Sequence, residues 1–525
     1  MNAIIMAAGT SSRFAPLSYE KPKGLLNVKG EVLIERQIRQ LQEAGITDIT
    51  VVVGYKAELF DYLIDKFKVS IVLNEDYNQY NNTSSIIRVI DKLENTYICS
   101  SDNYFPNNVF LDKPEESYYS ALYAEGITGE YCISTDQHDN IISVTVGGED
   151  SWYMVGHVFF NKEFSEKFRQ VMIEEYPREE TKKGYWEDVY IKHIDILPLM
   201  KIHRYHPHSI EEFDSLEELR AFDENYINHT GCQIFQNICT VLQCEEKDIH
   251  EINVLKKGMT NCSFAFTCKK DGKKYVYRHP GSGTEAFISR DSEYFSMQVA
   301  KQLNLDTTFV YMHPTEGWKL SLYIEDARIL DYHNPNELEQ AVRLLARLHE
   351  ANVQSEFSYR LWDQANDFLE KLQVLRKDNT PDFYLLNGKI KNLYELVNQD
   401  GWPECLNHCD ALAANFLIDT ENNITLIDWE YSGQGDTAQD LGSFIACSDM
   451  SYEEAMFAIT KYLGHNPTDE ELRHYLAYTA IASYCWYLWA IYQEANGVDT
   501  GDFLDLWYKY SYLYSDKAVE LYTQN

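Results

Sequence analysis

The amino-terminal half of the chain alternates two rhythms of apolar and polar residues. Short apolar runs, "AIIMAA" (3–8), "ITVVVG" (49–54) and "VSIVLN" (69–74), are separated by "EVLIERQIRQLQEAG" and "AELFDYLIDKF", whose apolar positions recur every three or four residues. Buried strands that alternate with amphipathic helices predict βαβ units on a parallel sheet. The stretch "SIEEFDSLEELRAFDENYINHTG" (209–231) reads as one polar helix that ends at a run of Asn, His, Thr and Gly, which sets a boundary near Gly231 and domains 1–230 and 231–525. Beyond it, "EINVLKKGMTNCSFAFTCKKDGKKYVYRHPG" (251–281) contains three strand-like runs joined by a glycine turn and an Asp-Gly hairpin signal, hence an antiparallel sheet. From "NELEQAVRLLARLHEAN" onward the pattern is mainly helical, so a small sheet lobe precedes a large helical one.

Length fits this division, because 525 residues exceed one ordinary core, and a 45% hydrophobic share can supply two. A formal net charge of -36 with no local basic patch argues against nucleic acid and anionic membranes as partners and suits a small cationic ligand. Eleven cysteines without a CxxC pair read as reduced thiols in a cytoplasmic protein. The apolar start is too short for a signal peptide, and no stretch approaches the roughly 20 apolar residues of a membrane span. Nothing in the pattern sets the oligomeric state.

Candidate chemistry begins at "AIIMAAGTSSRFAPLSYEKPKGLL", where a buried strand runs into a loop of small residues. Ala7, Ala8 and Gly9 would let backbone N–H groups approach a triphosphate, and Arg13 and Lys23 add two positive charges. This run resembles the nucleotidyltransferase signature AAGxGxRxxPLTxxxPK, and within that family the CTP:phosphocholine cytidylyltransferases, over residues 1–228. Ser11 stands where the family usually has its second glycine. The resemblance implies a Rossmann-like domain that takes CTP, with Mg2+ held by Asp102 of "YICSSDNYF" and by Glu187 of "KKGYWEDVY", Asp188 being the close alternative. It also implies Tyr131 and Trp186 as aromatic walls around the choline of phosphocholine, and Asn82 and Ser84 of "YNQYNNTSSI" as nucleotide contacts.

The second candidate is "LNHCDALAANFLIDTENNITLIDWEYSG", in which Asn415 follows Asp410 by five residues and Asp428 ends an apolar strand. Phosphoryl transfer from ATP needs a carboxylate beside the attacking hydroxyl and oxygen ligands for Mg2+, and this spacing supplies them. The segment resembles the choline and aminoglycoside kinases of protein-kinase-like fold. That implies Asp410 as the positioning base, Asn415 and Asp428 as metal ligands, and His408 as a core histidine bracing the loop. By the same resemblance Gly258, Asn261 and Ser263 form the glycine loop over the ATP phosphates, and Arg278 takes the place of the usual kinase lysine, paired with Glu293. In "YCWYLWA" Trp486 and Trp489 share one helix face. Cation–π contact is the main specific recognition open to a quaternary ammonium, and the resemblance to choline kinases implies this Trp pair and Tyr431 as the choline site, with Asp440 either completing its charge or capping the following helix.

The expected protein is an α/β fusion that phosphorylates choline and then couples phosphocholine to CTP. The alternatives are ethanolamine or another amino alcohol, an aminoglycoside with a sugar 1-phosphate, or a regulatory binding protein with one inactive half.

Overall fold

The computed structural model describes residues 1–257, 261–281, 288–375 and 382–523. The chain forms two compact units, Met1–Val254 with Cys268–Lys270, and Leu255–Thr267 with Asp271–Asn525.

In the first unit seven strands form one sheet in the order Lys201–Arg204, Tyr118–Thr135, Ile141–Phe160, Thr96–Ser100, Asn2–Ala7, Ile49–Val53 and Ser70–Leu73. The expected parallel pairing is present at its centre, where Ile4 lies opposite Thr50 on one side and Ile98 on the other. These strands are apolar without alternation because both faces are covered, and Ile4, Ile5, Val51 and Val52 are wholly buried. The helix Leu33–Glu43 buries Leu33, Ile34, Ile38 and Leu41 on one stripe. An antiparallel hairpin of 18- and 20-residue strands completes the mostly parallel sheet.

Residues 209–231 depart from the single helix read in the sequence. Glu211–Glu212 pairs antiparallel with Asn103–Tyr104, and two short helices follow, Leu216–Phe222 and Asn225–Asn228. The break has a local cause: Ile210 and Phe213 are buried on either side of the glutamates, and the Ser215 hydroxyl accepts from the Glu218 N–H to start a new helix.

The second unit contains most of a five-stranded sheet in the order Ile249–Lys257, Asn261–Cys268, Lys273–Pro280, Lys319–Leu322 and Phe309–Met312. Helices make up most of the rest. Among them Asp469–Ala495 is buried on nearly every side from His474 to Leu488, which is why its sequence lacks an amphipathic stripe. Two small antiparallel strand pairs, Glu404–Asn407 with Gly433–Asp436 and Phe416–Ile418 with Ile424–Leu426, frame the loops that carry Asp410 and Asp428. Among the described residues no helix is long and apolar enough to cross a membrane.

Candidate active sites

At the carboxyl ends of the first unit's central strands, the Ser101 N–H donates to the Met6 carbonyl at 3.1 Å and so draws the Asp102 loop beside the Ala8–Gly9 loop. Gly24 lets the Lys23 segment pack close against the same loop, since a Cβ there would lie 2.9 Å from the Ser101 hydroxyl. Ser11 adopts the left-handed conformation at φ 51, a backbone that favours glycine, so the serine accepts some strain to keep the loop's shape. The loops border a cavity of about 490 Å³ lined by Ala8, Gly9, Lys23, Asn82 and Asp102.

Lys23 is 7% exposed, and its Nζ donates to Asp102 Oδ2 at 2.8 Å, while the Ser100 hydroxyl donates to Oδ1 at 2.5 Å. Burial alone would raise the Asp102 carboxyl, but the charge and hydrogen bond of Lys23 hold it below the usual carboxylate range.

A second cavity of about 830 Å³ shares Met6, Asn82 and Ser100 with the first and is lined by Arg13, Tyr131, Trp186, Glu187 and Glu212. Trp186 is mostly core, stacked on Tyr119 and edge-on to Phe160 and Phe168, and shows the cavity only part of its ring. Tyr131 donates to Asp188 Oδ1 at 2.8 Å. Arg13 is exposed and pairs with Asp214 at 2.9 Å.

One expected contact moves, and one expected carboxylate has a neighbour that the sequence did not suggest. Ser84 is wholly buried and lines neither cavity: its hydroxyl donates to the Asn81 carbonyl at 2.6 Å and accepts from Asn74 at 2.8 Å, and Ser85 takes its place on the wall. Glu212, whose backbone pairs with Asn103 next to Asp102, is a further carboxylate in this region. Glu212 opens to the cavity yet is crowded by protein, and its carboxyl is raised to about 7, first by loss of solvent and then by the charge of Asp102. Glu187 is held elsewhere, by Tyr119 at 3.2 Å and by Asn82 at 3.2 Å, and burial raises it to about 7. Asp188 accepts from the Tyr185 N–H at 2.8 Å and so caps the helix Trp186–Lys192. Among the described residues no group of three or more His, Cys, Asp or Glu side chains could hold a metal. Mg2+ needs no such group, since it binds through one or two carboxylates and completes its shell with waters and substrate phosphates, and Asp102 has the oxygen chemistry it takes.

In the second unit Asn415 donates to Asp410 twice, to Oδ2 at 2.9 Å and to the backbone carbonyl at 2.8 Å. The Asp410 carboxyl is raised to about 7 by burial and then by the charge of Asp428. His408 is buried between the two motifs. Its Nε2–H donates to the Ile427 carbonyl at 3.0 Å, and Nδ1 accepts from the Asp410 N–H at 3.2 Å. Burial lowers its pKa, which suits a neutral brace.

Asp440, expected at the choline end, is instead wholly buried beneath the catalytic loop. Its carboxylate accepts from the His408 and Cys409 N–H groups, each at 2.7 Å, and from His349 Nε2 at 3.1 Å. Burial would raise it, yet the hydrogen bond and charge of His349 keep it low. Asp440→Asn turns one acceptor into a donor facing an N–H, which costs about 1–3 kcal/mol. Kinase turnover is expected to fall at least about tenfold, with a lower melting point for this half and unchanged transfer by the other; scanning calorimetry alongside both assays reads all three.

Of the nucleotide candidates, Arg278 pairs with Glu293 as expected, and Asn261 donates to Glu430 at 3.0 Å. Ser263 lies on the strand Asn261–Cys268, and Gly258 falls outside the described residues. Trp486 and Trp489 meet edge to face at 5.9 Å, and Trp507 of the last helix joins both, at 6.2 Å and 6.0 Å. Sequence spacing could not reveal Trp507, which comes from a different helix. Trp507 is fixed by a hydrogen bond from its Nε1–H to the Ala446 carbonyl at 2.9 Å. Tyr431 lies 6.3 Å from Tyr359, their rings tilted by 58°.

Comparison with known proteins agrees with this division. Residues 3–113 match the MobA-like NTP transferase domain and residues 252–480 the choline/ethanolamine kinase family. The chain is 37% identical to the 2-aminoethylphosphonate cytidylyltransferase of Lancefieldella rimae, over 43% of this chain and 93% of that one. It is 33% identical to the choline-phosphate cytidylyltransferase of Streptococcus pneumoniae, over 43% and 97%. With Protein LicA of Haemophilus influenzae it shares 28% identity over 47% of this chain and 74% of the other. The chain therefore belongs, through its amino-terminal half, to the cytidylyltransferases and joins to that half a domain of the choline/ethanolamine kinase family.

Proposed function

We propose that the carboxyl-terminal half phosphorylates choline with ATP and that the amino-terminal half transfers CMP from CTP to the phosphocholine formed, giving CDP-choline and pyrophosphate. The carrying observation is the cluster of Trp486, Trp489 and Trp507 in the same half of the chain as the hydrogen-bonded Asp410–Asn415 pair. Three indole faces suit a quaternary ammonium, and the acidic chain favours a cationic substrate.

In the kinase half Asp410 accepts the hydroxyl proton of choline and aligns the oxygen for in-line attack. Its raised pKa suits a group that must take a proton near neutrality. Asn415 and Asp428 would hold Mg2+, which when bound spreads the charge of the transferring phosphoryl group. In the transferase half Lys23 and Arg13 attract the triphosphate, the Ala8–Gly9 loop offers N–H groups to it, and Asp102 with Glu212 would hold the second Mg2+. Tyr131 and Trp186 orient the ammonium end of phosphocholine.

Phosphorus NMR of the protein with Mg2+, ATP, CTP and choline tests the reading, with phosphocholine expected first and CDP-choline after it. No new phosphorus signal would end it. Trp489→Ala is expected to raise the kinase KM for choline about 3- to 30-fold with little change for ATP; an unchanged KM would make the cluster ordinary core.

A second reading rests on the carboxylates of the larger cavity, Glu130, Glu187, Glu211, Glu212 and Asp214, which could accept N–H bonds from a primary ammonium. It assigns the transferase half to phosphoethanolamine or 2-aminoethylphosphonate, and parallel reactions with these acceptors decide between the two.

A further inference from the structure

The ion pair expected between Arg278 and Glu293 is one part of a larger cluster. Arg278 lies directly opposite Lys319 on the antiparallel neighbouring strand, so both side chains leave the same face of the sheet. Arg278 donates from Nη1 to Asp428 at 3.1 Å and to Glu430 at 2.8 Å, and from Nη2 to Glu293. Lys319 Nζ lies 3.4 Å from Glu293 and 3.6 Å from Asp428, and Arg290 reaches Glu293 at 3.2 Å. Three cations thus face three carboxylates.

The two opposed cations are held very differently. Arg278 is 6% exposed and presents a planar fork clasped by carboxylates from three positions, so moving it would break several charge-assisted bonds at once. Lys319 is 8% exposed, with one long hydrogen bond and one longer ion pair for an ammonium that has three donors on a flexible stem. A buried ammonium so weakly satisfied gains by finding stronger acceptors. One of its two partners, Asp428, has a side chain 39% exposed and is the residue that the proposed function gives to Mg2+.

We propose that Lys319 is a nucleotide-phosphate-binding residue, which leaves Asp428 for the phosphate oxygens of ATP while Arg278 remains the strut tying Glu293 to Glu430. The proposal rests on the reading of this half as an ATP-dependent kinase. It divides between two residues the work that the sequence reading gave to Arg278 alone: one cation fixes the carboxylates and the other moves to the substrate.

Adenosine and ADP separate a phosphate contact from a structural one. In the full-length chain with Mg2+, Lys319→Met is expected to weaken ADP binding about 10- to 100-fold by calorimetry, as loss of a charge-assisted contact should. Adenosine affinity is expected to stay within about twofold, and the KM for ATP to rise while that for choline holds. Equal weakening of ADP and adenosine, or no weakening of ADP, overturns the proposal. Lys319→Gln is the second variant. Unfolding of the kinase half in both, read by its melting while CMP transfer persists, would make the charge purely structural and also overturn it. If the wild type binds ADP but does not phosphorylate choline, the functional reading fails, and the ADP and adenosine comparison still decides the role of Lys319.

Discussion

Asp410→Asn is expected to cut choline phosphorylation by at least about a thousandfold and to leave CMP transfer to added phosphocholine within about twofold of the wild type. Asparagine keeps the volume and one carbonyl oxygen, so the contact with Asn415 at 2.9 Å can survive on that oxygen. What is lost is the negative charge that aligns the hydroxyl and the site that receives its proton. His408 cannot substitute, because its Nδ1 already accepts from the Asp410 N–H and its Nε2–H donates to Ile427. Radiolabelled choline and phosphocholine, assayed separately on the full-length variant, read the two steps. Loss of both would mean that the halves do not act as separate sites, and retention of a tenth or more of the kinase rate would remove Asp410 from the chemistry. A wild type that binds both nucleotides and turns over neither substrate would return the chain to the class of regulatory binding proteins.

The candidate site residues that could be named from sequence are those in which chemistry and backbone lie within one short segment. The Ala8–Gly9 loop, Lys23, Asp102, and the Asp410, Asn415 and Asp428 series are of this kind, because a strand end or a tight loop fixes their spacing. Glu212 was hidden by a local resemblance: "SIEEFDSLEELRAF" carries helix formers, and only pairing with Asn103–Tyr104 turns its first residues into a strand. Lys319 and Trp507 owe their places to a neighbouring strand and a separate helix. Asp440 is the converse case. Near a kinase motif an acidic residue reads as a partner for a cationic substrate, but the two backbone N–H groups it accepts from belong to a loop some thirty positions earlier in the chain. Ser84 misled for a similar reason, since a polar residue in an asparagine-rich loop gives no sign that its hydroxyl faces inward to Asn74.

Asp102→Asn is expected to reduce CMP transfer by about a hundred- to a thousandfold, with choline phosphorylation unchanged. The carboxylate of Asp102 meets Lys23 at 2.8 Å and Ser100 at 2.5 Å, and its charge contributes to raising Glu212. The neutral amide leaves Lys23 without its charged partner and removes one of the two oxygens offered to Mg2+. It also relieves Glu212 of a like-charged neighbour, so the Glu212 carboxyl should ionise more readily in the variant. The Mg2+ concentration that half-saturates CMP transfer identifies the second ligand. Glu212→Gln is expected to raise it about as strongly as Asp102→Asn does, whereas Glu187→Gln should leave it near the wild-type value and weaken phosphocholine binding through Tyr119 and Asn82. The opposite pattern, with Glu187→Gln raising the Mg2+ requirement and Glu212→Gln not, would place the metal between Asp102 and Glu187. It would also require the cleft to rearrange when CTP binds, because in this structure Asn82 and Tyr119 hold the Glu187 carboxylate.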